Sequence, residues 1–146
     1  MDRIEALLSV ASILSGFGIT VLMFRIQREL QVRERTSDVA TWLAWADYLV
    51  LAAITLALIL VVLPLVTIPH VVGVLAVASA SCAAAAILLA SYPWAILYHY
   101  RIVLGSKRQG QRLPGEPGEK IVVILAAIIA AVIFGIIIVR SQLTLC

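Results

Sequence analysis

Charge is scarce in this chain. Asp, Glu, Lys and Arg together make up 13% of its 146 residues, against 63% hydrophobic residues and a mean hydropathy of +1.10. A water-facing surface of ordinary composition is thereby excluded, and the apolar surface exceeds what one core of this length can bury. Cysteine and histidine are as rare, two of each. Cys82 sits among alanines and Cys146 is the last residue given, so there is no Cys-x-x-Cys pair for thiol redox chemistry and no zinc-ligand spacing. His70 and His99 stand 29 positions apart, on the order of 40 Å along a continuous helix, too far to ligate one haem from both sides. Paired catalytic carboxylates and a nucleophile elbow are also missing, and GSKRQG lacks phosphate-loop spacing and a preceding strand. No cofactor and no nucleic acid are expected, and an enzyme is disfavoured.

What the chain has in abundance is long apolar runs. A helix crosses a hydrocarbon core of about 30 Å with about 20 apolar residues. Four stretches qualify: Ile4 to Phe24, Thr41 to Val66, Val71 to Trp94 and Ile121 to Val139. They lack the period-two alternation of barrel strands, and an open sheet cannot satisfy its backbone in lipid. The first run lacks a basic leader and a small-residue cleavage pattern, so it reads as a retained span. The predicted fold is all-α, one integral membrane bundle of four transmembrane helices in two hairpins, with a cytoplasmic helical extension of helix 1.

Basic residues set the expected orientation. Arg25, Arg28, Arg33 and Arg35 fall between spans 1 and 2, and Arg101, Lys107, Arg108, Arg112 and Lys120 between spans 3 and 4; Arg3 and Arg140 alone lie elsewhere. By the positive-inside rule both basic segments face the cytoplasm and both termini the outside, in a plasma (inner) membrane. Trp42, Trp45, Tyr48, Tyr92, Trp94, Tyr98 and Tyr100 gather at that same boundary as an aromatic belt.

Segment 25–40 carries the i,i+4 pairs Arg25 to Glu29 and Glu29 to Arg33, which favour a helix; Thr36, Ser37 and Asp38 supply cap chemistry before span 2. Segment 101–120 holds four Gly and two Pro and reads as a loop. Arg25, Arg28, Arg33, Arg35, Lys107, Arg108 and Arg112 are the candidate contacts to anionic lipid headgroups or a protein partner. Asp47 counts to the inner boundary of span 2, where an arginine from span 1 or a tyrosine hydroxyl is the expected partner. Asp47, Tyr48, Tyr92, Tyr98 and His99 form the candidate polar site.

Small residues recur every four positions: Ser12, Gly16 and Thr20 in span 1, and Ala127, Ala131 and Gly135 in span 4. Such rows let helices approach closely in lipid, with bundle packing as the default use and homo-oligomerisation as the alternative. In size and span number the chain resembles the small four-span multidrug antiporters, but the middle of span 1, SVASILSGFGIT, lacks the glutamate they use. Two functions remain: a non-enzymatic accessory, assembly or interaction subunit, or an oligomeric channel or transporter of a small solute lined by Ser9, Ser12 and Thr20.

Overall fold

The computed structural model describes residues 3–35, 44–99 and 117–143, and every regular element among them is helical. Helix α1 spans Arg3–Arg35, α2 Trp45–Thr67, α3 Val74–His99 and α4 Pro117–Leu143. All four contain segments long and apolar enough to cross a membrane. The cap residues Thr36, Ser37 and Asp38, together with Lys107, Arg108 and Arg112, lie outside the described residues, as do the side chains of Arg33 and Arg35.

Helix α1 continues without a break from its apolar part through Arg25 to Arg35, and Arg25 pairs with Glu29 one turn on at 3.0 Å. Within its apolar part the hydroxyls of Ser15 and Thr20 each donate to the carbonyl four residues back, both at 2.8 Å. That bond hides a polar group that lipid cannot solvate.

Helix α2 is not uniform. Residues Leu56–Val62 form a π-helix, and the Leu63 N–H donates to the Leu58 carbonyl, five residues back. The widening falls just before Pro64, whose ring would crowd the Leu60 carbonyl in a regular turn and which has no N–H to give it. The α2–α3 turn requires Gly73, the one described glycine with positive φ, at +91°, a conformation that side chains resist. Helix α3 passes through Pro93 and ends at His99.

The packing is unequal. Helix α3 touches α1, α2 and α4, whereas α1 and α4 barely meet each other. Half of the most apolar window of α3 is buried, against 17% in α1 and in α4. The centre is therefore the α2–α3 pair, with α1 and α4 on its flanks. Alanines make this possible: Ala78, Ala80, Ala84 and Ala85 on α3 and Ala46, Ala53 and Ala57 on α2 are 3% exposed or less. Small side chains bring the backbones together and collect dispersion contacts along the whole seam.

Among the described residues the two small-residue rows lie largely outside this packing. Ser12, Gly16, Thr20, Ala127 and Ala131 are exposed, and a Cβ built on Gly16 or Gly135 would meet nothing within 4 Å. The inward face of α1 is instead Ala11, Ser15 and Gly18, and that of α4 is Val123, Ala126 and Ala130.

Candidate functional site

At one end of the bundle, four ionisable side chains from four different helices come together among buried surroundings. Arg25 comes from α1, Asp47 from α2, His99 from α3 and Glu119 from α4. Arg25 is 7% exposed, Asp47 3% and Glu119 1%. Ionisable groups are seldom buried so deeply without partners.

The start of α2 organises the cluster. A helix leaves its first N–H groups without carbonyl partners and carries partial positive charge there. Asp47 occupies the first turn; its Oδ2 accepts the Ala44 N–H at 3.1 Å, while its own N–H donates to the Ala44 carbonyl at 3.0 Å. Glu119 arrives from α4, and its Oε1 accepts the Ala46 N–H at 2.9 Å. Two carboxylates, one local and one 73 positions away, thus cap a single helix terminus.

Each carboxylate also meets a cation or a ring nitrogen. Arg25 Nε lies 3.5 Å from Asp47 Oδ1, and another guanidinium nitrogen of Arg25 lies 3.0 Å from Glu29 Oε1. Glu119 Oε2 lies 2.8 Å from His99 Nδ1. An ionised carboxylate only accepts hydrogen bonds, so with Glu119 ionised the pair requires the proton on Nδ1. All four helices are therefore tied at one polar node. Removing any member takes one charge-pairing or capping contact from a buried neighbour.

The arginine sought for Asp47 is Arg25. The remaining candidates divide. His99 belongs to the node, but through Glu119. Tyr98 packs its ring on Gly118, where a Cβ would stand 2.8 Å from Tyr98 Cδ1, so this glycine admits the close α3–α4 contact. Tyr92 lines a groove of about 250 Å³ between α1 and α3 with Phe24, Arg25 and Arg28. Tyr48 is 52% exposed, one residue and about 100° around the helix from Asp47. It is therefore no member of the node. Its ring lies 6.0 Å from that of Trp45, over which Lys120 Nζ sits at 5.3 Å, an aromatic and cationic rim beside the buried charges.

Glu119 is the site residue that sequence reasoning missed, having placed it in the loop before span 4. Helix α4 in fact begins at Pro117. Among the described residues no three His, Cys, Asp or Glu side chains are arranged to hold a metal ion. Neither oxygen of Glu119 is idle; Asp47 Oδ2 accepts the Ala44 N–H, while Oδ1 has only the 3.5 Å ion pair with Arg25 Nε, and neither of those two buried atoms makes a hydrogen bond among the described residues. The node's chemistry is thus charge pairing and helix capping.

No protein-family model, curated protein or solved structure matches this chain.

Proposed function

We propose that the protein is a multi-pass membrane subunit that acts by assembly or interaction, using α1 and α4 as surfaces for partner helices. The observation that carries this reading is the outward position of both small-residue rows. Among the described residues, Ser12, Gly16 and Thr20 on one flank and Ala127 and Ala131 on the other are exposed, and a Cβ at the half-buried Gly135 would meet nothing within 4 Å. Lipid gains little from such faces, whereas another helix can approach its backbone closely there. The occupant is a membrane-protein partner or a second copy of the chain.

The same reading orients the bundle as two hairpins, with the Arg25 end in the cytoplasm and the Arg3 and Arg140 end outside. Nine of the eleven basic residues then lie on the inner side. The α1 extension enters the cytoplasm, and Arg28 on its exposed side meets anionic headgroups.

Burial of Asp47 and Glu119 favours a second reading, an oligomeric channel or transporter with the node at its mouth. The two are separated by purifying the protein in mild detergent and reconstituting it in liposomes. A stoichiometric partner with no solute flux supports the assembly subunit. Flux that falls on Asp47→Asn, with the protein otherwise folded, supports the transporter.

A further inference from the structure

Nine of the eleven basic residues lie in segments 25–35 and 101–120, and the two that do not are Arg3 and Arg140. These residues are 137 positions apart, yet the fold brings both to one groove of about 570 Å³, together with His70. We propose that this groove binds an anionic phospholipid, its phosphate held by Arg3, Arg140 and His70.

The three side chains come from three elements: the first turn of α1, the α2–α3 turn and the last turn of α4. All three are exposed, and no Asp or Glu lines the groove among the described residues. Guanidinium groups match phosphate oxygens with paired donors.

Depth agrees with a headgroup. The apolar stretch Ile4 to Phe24 has 21 residues and Ile121 to Val139 has 19, about 31 and 28 Å at helical rise. Each matches a hydrocarbon core of about 30 Å. Arg25 and Lys120 then stand at one boundary, and Arg3 and Arg140 at the other.

The walls distinguish a lipid from a soluble anion. Val71, Leu75 and Ile137 line the groove beside the charges. Arg3 is the only residue of α1 in its lining, so the walls beside the charges are built by the apolar residues of the α2–α3 turn, α3 and α4. A free phosphate would use the guanidinium groups and gain nothing from the apolar walls. A phospholipid uses both. The inference is independent of the assembly reading, since it concerns the groove over α3 and not the outward rows.

Native mass spectrometry of the full chain in a neutral detergent tests it, with equal amounts of phosphatidylglycerol and phosphatidylcholine of identical acyl chains. Preferential retention of phosphatidylglycerol is expected. Arg3→Gln/Arg140→Gln lowers that preference about tenfold or more, while Arg3→Lys/Arg140→Lys keeps most of it. Unchanged thermal melting of both variants shows that the fold is intact. Equal retention of the two lipids overturns the proposal, as does a Gln variant that retains the wild-type preference. Glycerol phosphate that competes as well as the whole lipid assigns the groove to a soluble anion and overturns it too.

Discussion

Glu119→Leu is expected to be the most damaging single change at the polar node. The carboxylate is 1% exposed and accepts the Ala46 N–H at 2.9 Å through one oxygen, while the other lies 2.8 Å from His99 Nδ1. A hydrogen bond to a charged group contributes about 1.5–3 kcal/mol, and the amide left behind has no water to turn to. His99 loses its contact with the carboxylate at the same time, so the loss approaches the roughly 3–5 kcal/mol typical of breaking a buried pair from one side. Glu119→Gln keeps a carbonyl acceptor for Ala46 but turns its amide NH2 toward His99 Nδ1, so it gives up the charge and requires the other imidazole tautomer, with an expected loss of about 1–2 kcal/mol. Reversible unfolding in mixed micelles measures both. Amide exchange at Ala46 gives the local readout. Since each 1.4 kcal/mol corresponds to a factor of ten, its protection falls about a hundredfold or more in Glu119→Leu and far less in Glu119→Gln. A leucine variant within about 0.5 kcal/mol of wild type, with Ala46 still protected, would refute the capping role.

Two further outcomes follow from the same geometry. Arg25→Gln and Asp47→Asn each destabilise the bundle, and the double variant loses less than the sum; at a separation of 3.5 Å the coupling is about 1–2 kcal/mol, measured by a double-mutant cycle, and strict additivity would dissolve the pair. Gly16→Ala meets open space and gains helix propensity, up to about 1 kcal/mol. Gly18→Ala would bring a Cβ within 2.8 Å of Ile54 Cγ1 and destabilises by about 1–3 kcal/mol; equal melting of the two variants would contradict the assignment of inward and outward faces.

Element identity was legible in the sequence because length and apolarity suffice for it. The four runs became four helices, with ends that moved. Helix α2 begins at Trp45 after an extended Ala44, which turns Asp47 from a boundary acid into a first-turn cap. Helix α4 begins at Pro117, four residues before the apolar run at Ile121. The Pro117 and Glu119 pattern carried that signal, since proline at the first position and an acid in the first turn both mark helix starts. Its partners His99 and Ala46 were not legible, because nothing local specifies a contact 20 or 73 positions away.

The small-residue rows show a different limit. In water, hydrophobicity marks the inward face of a helix; in lipid both faces are apolar, and spacing reveals where close approach is allowed without revealing to whom. Ala11, Ser15 and Gly18 turn inward while Ser12, Gly16 and Thr20 turn outward, and composition does not distinguish the two sets.

The central claim is that the outward rows meet protein and not only lipid. A photo-crosslinking residue placed in intact membranes at Ser12 or Ala131 tests it, against the same residue at Leu63, an exposed position on α2 that belongs to neither row. Discrete adducts heavier than the 15.7 kDa chain are predicted from positions 12 and 131 and not from 63. Lipid adducts alone at all three positions would contradict the account.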